Sequence, residues 1–265
     1  MIYKSLDHTF AVCAYKESEY LEELLISLQH QTVKTNIIIA TSTLNAHIQL
    51  LAEKYGYPVY VNTGESGIAG DWNFALKSAK TPLVTIAHQD DIYEPEYAEA
   101  MLTAINKAKD PIIAFSHYAE LRNGEKIYDN RLLRIKKILL LPMRLSQSSV
   151  FLRRRSLSLG NSICCPAVTY VKDRVPEFDS SFVNNLDWNQ WELLSKQKGD
   201  FAYVPKALMC HRIHESSTTS EMIENKIRGQ EDLVIFRRFW PEAIAKRIAG
   251  IYGNSEKSNS LNDQT

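Results

Sequence analysis

The strongest constraint on the fold is an alternation, over residues 8–120, of short apolar runs with longer stretches whose apolar residues recur every three to four positions. HTFAVCAY reads as a buried strand. Ser18 then stands before a run with Leu21, Leu24, Leu25 and Leu28 on one face, which predicts a helix opened by a serine cap. NIIIAT is a β-branched strand, His47–Tyr55 a second helix, PVYVN a third strand and IAGDWNFALKSA a third helix. PLVTIAH, Tyr97–Lys107 and PIIAFSHY continue as strand, helix and strand. Repeated units of this kind predict an α/β fold with a mixed, mostly parallel sheet and helices on both faces.

The regularity breaks after Leu121. Asn123-Gly124 marks a hairpin turn, and Arg131–Leu159 is helical in pattern with an interruption at Pro142. Short strands are expected at Ala167–Val171 and Phe201–Val204, with a helix over Trp188–Lys198 between them. Glu221–Ile251 is again helical, and the polar tail NSEKSNSLNDQT is expected to be disordered. The chain has 265 residues, 45% of them hydrophobic, enough for one large domain with an appendage. The boundaries expected are a domain over 1–220, divided near 120, a helical extension over 221–252 and a tail over 253–265.

Basic and acidic residues number 31 each, so overall charge gives no reason to expect a polyanionic partner. Cys13, Cys164, Cys165 and Cys210 have neither zinc-site spacing nor a disulfide pattern, which fits a reducing compartment. The N-terminus has no apolar leader, and no apolar run approaches the roughly 18–20 residues that span a bilayer. The expectation is a cytoplasmic protein, soluble or peripheral to the membrane.

Three segments carry polar groups suited to chemistry. In TIAHQDDIYE, Asp90 and Asp91 follow a buried strand at its carboxyl end, where open α/β sheets bind ligands. Carboxylates there suit Mg²⁺ or Mn²⁺, although the pair could equally cap the helix beginning near Pro95. Asp187 opens a helix whose Trp188, Trp191 and Leu194 can face the core, a rigid seat for a general base or a plain N-cap. Residues Cys210–Thr219, CHRIHESSTT, combine two imidazoles, a guanidinium and four hydroxyls in what reads as a strand end and ligand-binding loop.

The order of these pieces resembles family 2 glycosyltransferases, which have the GT-A fold. CAYKESEYLEELLISLQHQT is similar to that family's opening strand, Pro-Thr-Tyr-Asn-Glu turn and helix; Tyr15 and Glu17 match, while Cys13, Ala14 and Lys16 depart. HQDD occupies the place of the Asp-x-Asp metal motif, with His88 replacing the first aspartate and Asp90 supplying the second. The resemblance makes Asp187 of LDW the catalytic base. It makes RIHESSTT the loop that closes over the diphosphate, selecting Arg212 and His214 over His211.

The resemblance further implies a nucleotide-sugar-binding half over 1–120, an acceptor half over 121–220, and inversion at the anomeric carbon. The metal is assigned to Asp90 and His214, with Mn²⁺ or Mg²⁺ as cofactor. Donor contacts are assigned to Tyr15, Glu17, Thr41, Ser42, Asp71, His88, Asp91 and Arg212. Thr41-Ser42-Thr43 stands where the family has Asp-Asp-Gly-Ser, so base recognition must use hydroxyl or backbone groups. His88 has two open roles, metal ligand or ribose contact, and Asp71 is either an N-cap or a substrate contact. The expected donor is a UDP-sugar, and the acceptor a glycan, lipid-linked or protein-linked, in cell-surface polysaccharide or glycoconjugate synthesis. A sugar nucleotidyltransferase is the rival enzyme class, but CAYKES lacks the glycine-rich loop that cradles a triphosphate. A catalytically silent sugar-nucleotide-binding module is the other rival.

The stretch from Arg131 to Arg155 carries eight basic residues and no acids. It reads as a solvated helix face, or as a surface for anionic lipid or a lipid-diphosphate acceptor. No nucleic-acid reader motif accompanies it, so nucleic acid is not an expected partner.

Overall fold

The computed structural model describes residues 2–65, 67–214 and 224–257. Four strands, β1 (His8–Ala14), β2 (Asn36–Thr41), β3 (Val59–Val61) and β4 (Leu83–His88), pair in parallel in the spatial order β3-β2-β1-β4. Helices α1 (Leu21–Gln29), α2 (Ala46–Tyr55) and α3 (Ile68–Ser78) make the crossovers. Strand β1 shows why it is central: Phe10 and Val12 pack with α1 and α2 on one face, and Ala11 packs with α3 on the other. Alternate side chains of a strand point to opposite faces, so a strand covered on both reads as continuously apolar.

Beyond β4 the sheet becomes mixed. It continues through β8 (Val168–Val171), antiparallel to both neighbours, then β6 (Pro111–Arg122), β9 (Asp200–Ile213) and the two-residue β5 (Ile92–Tyr93). A hairpin adds β7 (Glu125–Ile127), turning at Asn123 and Gly124 with φ of 50° and 83°. Two successive positive φ values are what an Asn-Gly hairpin turn provides. Helix α4 (Tyr97–Lys107) joins α1 and α2 over one core, while α6 (Val150–Leu157), α7 (Leu186–Ser195), α8 (Glu224–Arg237) and α9 (Glu242–Lys257) line the other with α3. No helix among the described residues is long and apolar enough to cross a membrane.

Several boundaries differ from the sequence reading. Helix α1 begins at Leu21, because Ser18 caps a preceding turn in which its Oγ accepts from Tyr20 N at 3.3 Å. Strand β9 runs for 14 residues instead of four, through Pro205 and Lys206, tolerating them with register shifts around Ser116–Tyr118. His211 and Arg212 therefore sit on a strand, not in a loop. Helix α5 (Arg131–Leu145) passes through Pro142, and the break falls later, between Leu145 and Val150. The helical extension is joined to the domain: Glu231 of α8 accepts from the backbone N–H groups of Val183, Asn184 and Asn185 at 2.7, 3.0 and 2.9 Å, just before α7. The tail beyond 257 and residues 215–223 lie outside the described residues.

The largest correction concerns Arg153, Arg154 and Arg155, which turn inward. Arg153 is wholly buried and donates to the carbonyls of Ser195, Gln197 and Gly199 at the end of α7, its guanidinium 4.9 Å from the Phe201 ring. Arg154 pairs with the buried Glu192 at 2.8 Å, and Arg155 lies 4.6 Å over Trp240. A helix C-terminus leaves carbonyls unpaired and carries partial negative charge, so a buried arginine there is satisfied without a carboxylate. Arg153→Gln should therefore cost about 2–4 kcal/mol of stability, whereas Arg144→Gln, exposed on α5, should stay within about 0.5 kcal/mol. Urea denaturation midpoints of the two variants measure the difference, and equal midpoints would refute the structural role.

Candidate active site

The carboxyl ends of β1, β2 and β4 converge on one crevice, as expected for an open α/β sheet. At its floor, β5 pairs antiparallel with β9, Ile92 opposite Cys210 and Tyr93 opposite Met209. That pairing brings HQDD alongside CHRIH. Asp91 is fully buried, and its Oδ1 accepts from Arg212 N and His211 Nδ1, both at 3.0 Å. Its Oδ2 has no hydrogen-bond partner and lies 3.9 Å from His88 Nδ1. The structure thus turns Asp91 beneath the crevice rather than into it. Neither aspartate caps α4, whose N-cap is Glu96.

Asp90 points the other way. Its Oδ2 lies 3.1 Å from His214 Nε2, and its carbonyl accepts from Arg212 Nε at 2.8 Å. Burial alone would raise the Asp90 carboxyl, but His88, His211 and the bond to His214 together draw it below the usual range. His211 shows the reverse balance: burial depresses it, while Asp91 and then Asp90 raise it above an ordinary imidazole. Arg212 is nearly buried, with Nη2 2.5 Å from Glu23 Oε2 of α1 and the guanidinium 4.2 Å over the Tyr20 ring. His214 also lies against that ring, at 5.1 Å between centroids.

Asp90 and His214 suit a divalent cation that takes its remaining ligands from phosphate and water. Two donors at right angles on an octahedral ion, each about 2.1 Å from it, lie about 3 Å apart, which is the spacing seen. Among the described residues no group of three or more His, Cys, Asp and Glu is arranged as a complete metal cage.

A second set of groups lies at the ends of β2 and β3. Asp71 is in the first turn of α3 but does not cap it, since Gly67 holds that position. Its two oxygens accept instead from Ser42 Oγ and Asn62 Nδ2, each at 2.9 Å. Thr41 is buried and receives the Thr43 N–H at 3.0 Å, leaving Ser42 and Asp71 half-buried at the crevice wall. Trp72, the next residue of α3, stacks on His88 with centroids 5.1 Å apart and links the two sets. Tyr15 and Glu17 stand exposed in the turn after β1, where Gln89 clasps the Tyr15 backbone with bonds of 2.8 and 3.1 Å.

Asp187 enters from α7, in its first turn but not at its cap, which is Asn185. Its Oδ2 accepts from Asn161 Nδ2 at 2.7 Å and its Oδ1 from Trp188 N at 2.7 Å. Trp188 and Trp191 are fully buried and donate to the carbonyls of Leu157 and Ile163, which fixes this end of the helix. Burial outweighs Asn161, the Trp188 N–H, Lys136 and Arg228, so the Asp187 carboxyl is raised above its ordinary value. Asp187 and Asp91 both act on the half-buried Cys164 thiol, and Lys136 of α5, 5.0 Å over the Tyr118 ring, acts on both Asp187 and His211.

Tyr20, Glu23 and Gln89 were not singled out from the sequence, His211 was passed over for Arg212 and His214, and Lys136 counted only as part of the basic stretch. Glu23 and Tyr20 sit beside a leucine stripe that accounts for the helix without them, and only the position of β9 shows what they hold. A cavity of about 520 Å³ between α4 and β9, lined by Glu96, Lys107 and Tyr203 among others, contains none of the site residues and lies apart from this chemistry.

Residues 9–175 match the sequence model of the family described as Glycosyl transferase family 2. An uncharacterized glycosyltransferase of Rickettsia prowazekii is 23% identical over 227 residues, 83% of this chain and 67% of the relative. S. aureus TarS 1–349 in complex with UDP-GlcNAc has a TM-score of 0.63 at 16% identity, over 97% of this chain and 74% of that one. The match spans only 44% of the longer TarS chain. A mannosyltransferase from Pyrobaculum calidifontis, in complex with GDP-Man and Mn²⁺, has a TM-score of 0.56 at 13% identity, over 96% of this chain and 76% of that one. These likenesses show a GT-A fold, and the family match, over more than half of the residues, shows that the chain belongs to glycosyltransferase family 2.

Proposed function

We propose that this chain is an inverting, metal-dependent transferase that moves a sugar from a UDP-sugar to an acceptor hydroxyl in polysaccharide or glycoconjugate synthesis. The observation that carries the reading is Asp187, a carboxylate with its pKa raised by burial and held by Asn161 and the Trp188 N–H in the first turn of α7. The choice of uridine nucleotide is supported by TarS, whose structure holds UDP-GlcNAc, and the metal by the mannosyltransferase crystallised with Mn²⁺.

On this reading the nucleotide lies over the ends of β1 and β2, against Tyr15, Glu17, Thr41, Ser42 and Asp71. Asp90 and His214 hold Mn²⁺ or Mg²⁺, which when bound neutralises the donor diphosphate. Arg212 keeps Asp90 in place through its backbone carbonyl and adds positive charge beside the diphosphate. Asp187 takes the proton from the acceptor hydroxyl as that oxygen forms a bond to the anomeric carbon. The bond from that carbon to the diphosphate breaks with its electron pair leaving on the nucleoside diphosphate, and attack from the opposite face inverts the centre. A raised pKa makes Asp187 a stronger base than a surface carboxylate, and the Trp188 and Trp191 anchors hold it in position.

Asp187→Asn should lower transfer by about 10²–10⁴-fold with donor affinity little changed. Released nucleoside diphosphate and donor titration read the two quantities, and near-normal transfer would remove Asp187 from the mechanism. Because the carboxylate is the active form and burial raises its pKa, kcat should fall with decreasing pH through an acid limb above the ordinary carboxylate range. A limb at or below that range would argue for a different base. Asp90→Ala should abolish the difference in donor affinity between Mn²⁺ and chelator, since the cation loses its carboxylate. Donor affinity in the parent that ignores chelator would sink the metal assignment, and an active parent also separates this reading from a silent binding module.

A further inference from the structure

Helix α5 has two faces with different neighbours. Leu133, Leu140 and Met143 are buried, and Lys136 reaches inward over Tyr118. Ile138, Leu141 and Leu145 fall within a sector of about 60° on the opposite side at 100° per residue, and they are 62%, 48% and 82% exposed. Ile135 extends the same stripe toward the helix start and is also exposed. Large aliphatic side chains aligned in water on one helix face need an explanation that single exposed ones do not.

Beside this stripe the surface dips into a cavity of about 360 Å³ lined by His117, Lys137, Ile138, Leu141, Arg144 and Pro205. Two cations open into it. Lys137 donates to the Tyr128 carbonyl at 2.9 Å, and Arg144 lies by the Tyr203 hydroxyl. Neither forms an ion pair with a carboxylate among the described residues. His117 sits between them and β9, bonded to the Tyr203 hydroxyl, and burial followed by the charges of Lys137 and Arg144 lowers it to about 4, so it is neutral. The Asp129 carboxylate acts on Lys137 from a distance but is paired with Arg134. Residues 131–159 contain no Asp or Glu.

We propose that α5 docks the protein on an anionic lipid bilayer. Ile138, Leu141 and Leu145 enter the boundary between headgroups and acyl chains, and a lipid phosphate occupies the cavity between Lys137 and Arg144. Apolar side chains in line with a cationic pocket are the two features that interfacial helices combine. Long basic side chains reach the phosphate level while their stems cover the apolar stripe. The docking set excludes Arg153, Arg154 and Arg155, whose charges are held inside the fold. It does not depend on the proposed reaction, because binding is read without turnover.

The test is flotation of the whole chain with vesicles of phosphatidylcholine alone and of phosphatidylcholine containing phosphatidylglycerol. Binding should require phosphatidylglycerol and weaken with salt. Lys137→Gln with Arg144→Gln should weaken it by about 30-fold, the effect of two surface charges. Leu141→Ser with Leu145→Ser should weaken it at least about tenfold by removing inserted area. Both double variants change exposed or half-buried positions, so thermal unfolding and donor hydrolysis should match the parent. Equal binding to both vesicle types, no binding to either, or undiminished binding by both variants would overturn the proposal. So would a dimer in solution that Leu145→Ser dissociates, which would assign the stripe to a second copy of the chain.

Discussion

The site depends on one buried carboxylate. Asp91 sits at 0% exposure, and an unpaired charge there would cost several kcal/mol. It is tolerated because the Arg212 N–H and the His211 imidazole both donate to Oδ1, from a strand 121 positions further along the chain. Those donors arrive only when β9 is paired with β5 and β6. Formation of the sheet edge and solvation of Asp91 are thus the same event, and Asp90, one residue away, is left facing outward beside His214. Arg212 closes the arrangement by bonding the Asp90 carbonyl and Glu23, so α1, the β4–β5 turn and β9 meet at one guanidinium. An arginine suits that junction because its planar fork serves several acceptors at fixed angles.

The opposite wall is built by different means. Asp187 gains its position from two tryptophans wholly inside the core and from Glu231 of α8, which gathers three backbone N–H groups ahead of α7. The C-terminal helices therefore support the base candidate from behind, and Arg228 of α8 acts on the Asp187 carboxyl to lower it. Strand β8 joins the walls, since it pairs antiparallel with β4 on one side and β6 on the other. The segment preceding it carries Cys164, the thiol that senses both Asp91 and Asp187.

What could be read from the sequence follows from where the hydrophobic effect acts alone. The βα units over residues 8–120 were legible because the central strands β1 and β4 are covered on both faces and the helices on one, so periodicity reports burial directly. The carboxylates Asp90 and Asp187 and the imidazole His214 could be singled out as candidates because polar groups stood at the ends of such elements. Strand β9 was not: Pro205 and Lys206 interrupt its apolar pattern, and only its register against β6 shows that the strand continues through them to Ile213. Nor were the buried arginines legible. Three consecutive arginines carry no mark of burial, and the acceptors that satisfy Arg153 are main-chain carbonyls, which have no signature in sequence. Asp71 and Asp91 show the same limit for caps, since neither caps a helix and each has hydrogen-bond partners set by tertiary contact.

Helix α5 joins these two levels. Pro142 lies within it without ending it, and its inner face carries Lys136 toward Tyr118, where its charge acts on Asp187 and His211. After the Asn161 and Trp188 N–H donors, a cation there opposes the rise in the Asp187 pKa that burial causes. The outer face of the same helix carries the aliphatic stripe. One rigid element presents both the inward Lys136 and the outward stripe, so a contact that fixes α5 also fixes where Lys136 stands.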